Sequence, residues 1–254
     1  MDNLTEALKQ FETKAKAVSN ETELQSVFKE LAPAFLYGGY IQVRKDYKVY
    51  IRTVEFYFHS EKAEGIHDPI VYHRNGRDLK TAPYFPFMSL HAHSSGFDIT
   101  FESKTSEYRA SALIRSYEVI DANDNQYLKW DTNNCMFVKP TPNNYCFNDQ
   151  STYLKAILNG FAFGNDNDIT WKPSLTEITK TITEKPRKNV ALYREEGAGY
   201  KKVTKAYYEK HKDEFNKLVS KPEYFSISGT AYLQDPKPWR FQREEAIMLN
   251  NESK

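Results

Sequence analysis

Between residues 39 and 121 strand-like segments follow one another closely, and this run constrains the fold more than any other feature of the chain. The segments are rich in β-branched and aromatic residues, and polar residues such as Lys45 and Asp46 separate them. Consecutive strands joined by short turns pair antiparallel. We predict strands over residues 40–44, 47–59, 87–93, 97–103, 109–121 and 127–130.

Two helices are predicted before the first strand. Residues 3–18 carry apolar side chains at helical spacing, and a second helix follows in which Asn20 and Glu23 form a capping box. Pro33 is predicted to end that second helix. Together these elements predict an α+β protein with a curled, mainly antiparallel, open barrel-like sheet and flanking helices.

The chain after residue 145 has a more mixed pattern. Ser174 and Glu177 form a second capping-box pattern ahead of Ile178 and Ile182. The other predicted elements are helices over 151–159 and 201–220, strands over 189–194, 224–228 and 230–233, and a polar tail over 243–254. We expect a single domain over residues 1–254, with N-terminal helices in 1–34 and a helical and strand extension from about 195.

Composition excludes several classes of protein. The net charge of +1 provides no global positive field of the kind that marks many nucleic-acid-binding proteins. Cys135 and Cys146 form no zinc or redox motif and are typical of a reducing compartment. The charged N-terminal residues are unlike a signal peptide, and no apolar run is long enough to span a membrane. We expect a cytoplasmic monomer.

Glu55 is the most informative residue of the long strand predicted over 47–59. Because strand side chains alternate, one face of this strand is predicted to carry the set Tyr47, Val49, Ile51, Thr53, Glu55 and Tyr57. A carboxylate on such an aromatic and aliphatic face must be paired, protonated or functional, and burial prepares it as a general base or acid. The alternative is a solvent-facing edge or a pair with a lysine.

A second cluster with possible chemistry is formed by histidines. His91 and His93 project from the same face of a predicted strand, a spacing that can ligate a metal, and Asp98 could add an oxygen. This pattern favours a metal-dependent enzyme as one alternative. Paired strand histidines are more often ordinary polar residues, so we predict no metal.

Arg115 lies inside a hydrophobic predicted strand and needs an acidic or phosphate partner. The structural alternative is an ion pair with a carboxylate on the adjacent strand, such as Glu102.

Four segments, in this order along the chain, resemble the alkyladenine (3-methyladenine) DNA glycosylase family. They are LAPAFLYGGYIQVR, KVYIRTVEFYFHSEKAEGIH, SLHAHSSGFDITFE and ALIRSYEVID. The resemblance covers about residues 30–121, and a weaker similarity extends over 150–194. It implies a monofunctional purine DNA glycosylase, or a divergent relative, that acts on DNA without a cofactor. A non-catalytic relative that binds nucleic acid or another ligand is the alternative.

The resemblance also implies roles for individual residues. Glu55 would be the general base that activates the attacking water, and Arg115 would hold the water or the backbone. Tyr57 and His67 would contact the flipped base, which such enzymes extrude from the duplex.

Other matched positions depart from the family. Ser95 stands before Gly96 where the family has a tyrosine wedge, Ala92 lies near the place of a second pocket tyrosine, and Glu102 replaces an asparagine. A run of lysines and arginines between Lys180 and Lys212 could track phosphates or form a solvated helix face.

Overall fold

The computed structural model describes residues 3–68, 83–93, 96–142, 145–158, 168–174, 181–188, 190–191, 193–196, 199–213, 224–226, 229–233 and 237–245. The elements in these ranges form an α+β protein with a mostly antiparallel sheet, which confirms the predicted class. Ser95 and Glu177 lie outside the described residues. Within the described part of the chain, no helix has both the length and the apolar character needed to cross a membrane.

The described helices are short, apart from the first two. They are α1 (Asn3–Ala15), α2 (Glu21–Leu36), α3 (Lys155–Leu158) and α4 (Lys205–Lys210), with a 3-10 turn over Ser151–Leu154. The capping box at the start of α2 is confirmed, because the Asn20 side chain accepts a hydrogen bond from the Glu23 N–H at 3.0 Å. The predicted end at Pro33 is wrong. Pro33 lies in the last turn of α2, where its missing N–H removes one helical hydrogen bond only.

Fifteen strands occur among the described residues. In chain order they are β1 (Gly39–Val43), β2 (Tyr47–Ser60), β3 (Ser89–His93), β4 (Gly96–Thr100), β5 (Tyr108–Asp121), β6 (Tyr127–Asp131), β7 (Met136–Val138), β8 (Ile169–Pro173), β9 (Ile182–Lys185), β10 (Val190–Ala191), β11 (Tyr193–Glu196), β12 (Gly199–Lys202), β13 (Tyr224–Phe225), β14 (Ala231–Leu233) and β15 (Arg240–Arg243).

Ten of these strands form one sheet around the long strands β2 and β5. The order along the sheet is β3-β4-β5-β2-β1-β8. On one side of β2, β1 pairs with its first residues and β15 with its central residues, and β9 pairs with β15. The strands β6 and β7 extend the sheet from the last residues of β5.

The predictions for the C-terminal half were less accurate. The helix predicted over 201–220 begins at Lys205, because Gly199–Lys202 instead pairs with Tyr193–Glu196 as a β-hairpin. Ile182 was predicted to follow a helix start but belongs to strand β9. The predicted polar tail is wrong at Arg243, which is fully buried at the end of β15.

One face of the sheet is covered by α1 and α2. Phe28 of α2 stacks on Phe56 of β2 at 4.7 Å between ring centroids and on Phe11 of α1 at 5.5 Å. Each such ring removes a large apolar area from water, so this face forms the hydrophobic core.

A bulge in β2 corrects the predicted alternation of its faces. The pairing register with β5 shifts between Ile51 and Val54. Val49 and Ile51 are therefore buried in the same apolar cluster as Phe56, although they were predicted to share a face with Glu55. Because of the bulge, both halves of β2 bury apolar side chains against the core, and a polar face is left on the other side.

Candidate functional site

The face of the sheet opposite the core carries one row of polar side chains. In the pairing registers, Glu55 of β2 and Asp98 of β4 both lie opposite Leu113 of β5. Arg240 of β15 lies on the other side of Glu55, and His91 of β3 lies next to Asp98. Neighbouring strands are about 4.8 Å apart, so the row places acidic and basic groups within a few strand spacings.

Glu55 is at the centre of this row and has an exposed fraction of 0%. Its Oε2 lies 2.9 Å from the Arg115 Nε and accepts a hydrogen bond from the Tyr57 hydroxyl at 3.1 Å. Its Oε1 accepts a hydrogen bond from the Lys188 N–H at 3.2 Å. The structure therefore brings Glu55, Tyr57 and Arg115 together, and their charges and donors compensate the buried carboxylate.

The predicted ion pair of Arg115 with a carboxylate on the adjacent strand is confirmed, but Glu102, the example given for the partner, is wrong. Arg115 pairs with Glu55, whereas the Glu102 carboxylate lies 3.4 Å from Arg109 Nη1 and accepts the Phe85 N–H at 2.7 Å. Glu102 and Arg109 are both buried, so they form an internal ion pair.

The site changes the proton affinity of two of its members. Burial of the Tyr57 hydroxyl, reinforced by the negative charge of Glu55, raises the pKa of Tyr57 well above its ordinary value. Burial alone would lower the pKa of Arg115, but the Glu55 carboxylate outweighs it and the pKa is raised. Tyr57 therefore remains a hydrogen-bond donor and Arg115 a cation across the physiological range.

A short segment, residues 186–188, covers the Glu55–Arg115 pair. The Lys188 N–H donates to Glu55, and the Lys188 carbonyl accepts a hydrogen bond from Arg115. The backbone of Lys188 thus contacts both members of the pair, Glu55 through its N–H and Arg115 through its carbonyl. Sequence patterns did not indicate this role, because backbone groups carry no residue-specific signal.

The segment is held by a second ion pair, between Arg187 and Asp68, which are both fully buried. Arg187 donates to the Asp68 carboxylate at 2.7 Å and 3.4 Å and to the Phe56 carbonyl at 3.3 Å. The guanidinium lies between the rings of Tyr57 and Trp239, at 4.8 Å and 4.9 Å from their centroids. These contacts fix the backbone that precedes Lys188.

His67 lies beside a different part of this network. Its ring stacks on His59 at 4.9 Å, and its Nε2 is 2.7 Å from the Lys62 carbonyl. His59 in turn contacts the Asp68 carbonyl at 3.2 Å. The described contacts connect His67 to the clamp formed by Asp68 and Arg187, and not directly to Glu55 or Arg115.

Asp98 is a member of the site that the sequence suggested only as a metal ligand. It is buried, its Oδ2 is 3.5 Å from His93 Nε2, and its Oδ1 has no hydrogen-bond partner among the described residues. The rings of His91 and His93 are 6.1 Å apart. In the described ranges no three histidine, cysteine or acidic side chains are arranged to hold a metal ion.

Gly96 has a packing reason for its lack of a side chain. Its φ is +150°, and a Cβ atom there would lie 1.9 Å from the Ser151 Oγ and 3.2 Å from Leu113. The neighbouring Phe97 N–H donates to the same Ser151 oxygen at 3.2 Å. A glycine is therefore required where the 3-10 turn packs on β4.

The same face carries a second buried carboxylate, Glu118 of β5, which the sequence analysis did not single out. Arg243 donates to Glu118 and, through its Nε, to the Ile51 carbonyl at 3.0 Å. Arg52 lies 3.6 Å from the other Glu118 oxygen and extends over the Tyr145 and Phe147 rings. The alternation of polar and apolar residues in Arg240–Arg243 could have predicted a strand that includes Arg243, but residues from 243 onward were predicted to be a polar tail.

The basic run between residues 180 and 212 is partly neutralised. Arg194 and Lys201 lie 2.7 Å and 3.1 Å from Glu196 in the β11–β12 hairpin, and Lys185 lies 3.8 Å from Glu244. These pairs reduce the positive field that this run could offer to phosphates.

A cavity of about 350 Å³ lies away from the Glu55 site, between the end of α1 and the loop after β2. Its lining includes Ala15, Phe58, Ile66 and Tyr108, with Lys16 and Lys62 beside them. Its lining contains neither Glu55 nor Arg115.

No protein-family model, curated protein or solved structure matches this chain.

Proposed function

We propose that the Glu55 site is the active site of a monofunctional purine DNA glycosylase or of a divergent relative of that enzyme class. The observation that carries this function is the convergence of Arg115, Tyr57 and the Lys188 N–H on the fully buried Glu55 carboxylate. A charged base inside a compensated, water-poor site suits proton transfer from a water molecule.

The hydrogen-bonding capacity of Glu55 supports this role. A carboxylate offers about four lone-pair sites. The Lys188 N–H, the Tyr57 hydroxyl and Arg115 occupy three of them. The remaining site can accept a proton from a water molecule while the water oxygen attacks the sugar C1′.

The reaction then balances without a cofactor. The new C1′–O bond replaces the N-glycosidic bond, whose electron pair leaves with the purine, and the departing purine takes up a proton from solvent. Glu55 holds the proton removed from the attacking water and returns it to solvent after the reaction, which regenerates the carboxylate that pairs with Arg115. Tyr57, whose ring already packs against a guanidinium, provides an aromatic wall for the extruded base.

The rest of the architecture belongs to the same proposal. A curled, open barrel-like sheet would present the polar face as a concave surface, and one domain acting as a cytoplasmic monomer would suffice for a base-excision enzyme. DNA is the proposed partner.

The test is release of free purine from an oligonucleotide that contains hypoxanthine or an alkylated purine, presented in duplex and in single-stranded form. Wild-type protein should release the base and leave an abasic site. Glu55→Asp keeps the charge that Arg115 needs but withdraws the carboxylate by one methylene, so excision should fall about 100-fold. Absence of base release by folded wild-type protein on every substrate would contradict the proposal.

A non-catalytic, ligand-binding relative is the second candidate. It is favoured by the engagement of both Glu55 oxygens by protein donors, which also describes a purely structural carboxylate. In that case the wild-type protein would bind lesion-containing oligonucleotides without releasing the base, and Glu55→Asp would change binding only.

A further inference from the structure

Arg240 is a cation of the polar row that the proposed chemistry does not use. It lies on β15 directly opposite Glu55 in the pairing register, with Lys185 opposite it on the next strand. Its strand neighbour Phe241 points to the core, so the Arg240 side chain lies on the same face as Glu55.

The Arg240 guanidinium is poorly satisfied where it stands. Its Nε is buried and finds no hydrogen-bond partner within the described part of the chain. The nearest carboxylate in the row, Glu55, is already engaged by Arg115 at 2.9 Å. Arg240 as a whole is only partly buried, but a buried donor without a partner costs free energy, and a guanidinium fork is suited to a carboxylate or a phosphate.

The strand register places Arg240 beside Glu55, which also pairs with Arg115. Burial lowers the pKa of Arg240, the Glu55 charge opposes that change, and the Arg115 charge adds to it. Two arginines therefore lie near one glutamate, and Lys188 is exposed beside them. This edge of the site carries an excess of positive charge.

We propose that Arg240, next to Arg115, binds a phosphate group of the ligand at the edge of the Glu55 site. The assignment rests on the proposed function, because a nucleic-acid substrate brings a phosphodiester on each side of the base that it presents. The bound anion would complete the hydrogen bonding of Arg240 and orient the sugar toward Glu55.

The probe is a fluorescent single-stranded oligonucleotide with one tetrahydrofuran abasic-site analogue. It is made with normal linkages, or with a neutral methylphosphonate at the 5′ or the 3′ linkage of the analogue. Inorganic phosphate and deoxyadenosine 5′-monophosphate serve as competitors, which separates a phosphodiester from a free phosphate or a monoester. The proteins are wild type, Arg240→Gln, Arg240→Lys and the control Lys172→Gln, which removes an exposed positive charge from the edge strand β8.

Arg240→Gln should weaken binding of the normal oligonucleotide about tenfold and lower the slope of log affinity against log salt by about one. One neutral linkage should weaken wild-type binding to a similar extent and should have no further effect on Arg240→Gln. Arg240→Lys should give an intermediate loss, and Lys172→Gln less than about twofold. The melting temperature of Arg240→Gln should not fall, because the Arg240 Nε makes no hydrogen bond to the described residues that the variant would lose.

The proposal is overturned if wild type binds no probe at low salt or if Arg240→Gln binds like wild type. It is also overturned if the fold losses in affinity caused by Arg240→Gln and by the neutral linkage multiply, as they would for two independent contacts. Base excision is scored separately. If the neutral linkage weakens binding to wild type but not to Arg240→Gln, and no base is released, the phosphate contact is retained and the proposed glycosylase activity is rejected. If base is released but the linkage weakens binding to both proteins equally, the activity is retained and the phosphate contact is rejected.

Discussion

Two fully buried glutamates on the same sheet face, Glu55 and Glu118, are held in different ways. Glu118 pairs with Arg243, which is itself fully buried and also donates to backbone carbonyls of Ile51 and Glu245. Glu55 pairs with Arg115, whose side chain keeps an exposed fraction of 23%, and with a backbone N–H from a covering segment. Glu118 also has a second cation, Arg52, at 3.6 Å and with an exposed fraction of 11%, whereas the partner of Glu55 is the more exposed Arg115.

The difference shows how a structural ion pair is separated from a candidate active site. Both sites satisfy a buried carboxylate, so burial and charge alone do not distinguish them. What distinguishes Glu55 is that its cation is the more exposed one, and that Asp98 and Arg240 near it each have one buried polar atom without a hydrogen-bond partner among the described residues.

The largest effect on stability is expected at Glu118. Glu118→Gln leaves the fully buried Arg243 without a counter-charge, so the free energy of unfolding should fall by about 3–5 kcal/mol. Glu55→Gln should cost about 2 kcal/mol, because Arg115 can turn toward water. Urea denaturation of the two variants measures both values, and the opposite order would remove the distinction between the sites.

A smaller effect is expected at Asp68, which holds the segment over the Glu55 site. Asp68→Asn should lower the free energy of unfolding by about 2–3 kcal/mol and accelerate hydrogen exchange of the Lys188 amide, whose partner is Glu55. Asp124→Asn, in an exposed pair with Lys139, is the control and should leave the free energy of unfolding close to that of wild type. Unchanged Lys188 protection in folded Asp68→Asn would show that the clamp does not position this backbone.

The smallest effect concerns alkaline pH. In each site a tyrosine has a raised pKa: Tyr57 by burial and then by Glu55, and Tyr127 by burial and then by Glu118, to about 12. The unfolded chain releases these hydroxyl protons first, at about pH 10. The stabilisation of the folded protein by the two protonated tyrosines is therefore present below that pH and is lost as the pH rises through their pKa values in the folded protein.

Stability should therefore decline above about pH 10, and less steeply in Tyr57→Phe. At neutral pH the loss of the Tyr57 hydrogen bond to Glu55 should cost about 1 kcal/mol. Denaturation curves between pH 8 and 11 provide the measurement. An identical alkaline decline in wild type and Tyr57→Phe would contradict the pKa assignment of Tyr57.

Local patterns predicted the parts of the fold that local physics decides. Asn20 and Glu23 act within one helical turn, and the strands β2 and β5 carry their own apolar alternation, so both were predicted correctly. Lys201 and Lys202, the last two residues of β12, were predicted as the start of a helix, because lysine suits a helix and the hairpin partner Tyr193–Glu196 is not evident from the sequence.

The candidate site was predicted in part for the same reason. Strand alternation drew attention to Glu55 and Tyr57, and the buried position of Arg115 required an anionic partner. The identity of that partner depends on the bulge near Thr53, and the roles of Lys188, Arg187 and Arg240 depend on chain segments more than 100 residues away. Such pairings carry no signal in a single sequence.

The most direct test of the central claim is a matched pair of single-turnover excision experiments, with Glu55→Gln and Glu118→Gln compared with wild type on one hypoxanthine-containing oligonucleotide. Each reaction is run at a temperature where circular dichroism shows the variant fully folded. If Glu55 is the general base, Glu55→Gln should excise at least about 100-fold more slowly, while Glu118→Gln stays within a few fold of wild type. Wild-type rates in Glu55→Gln, or equal losses in the two variants, would show that Glu55 is a structural carboxylate like Glu118.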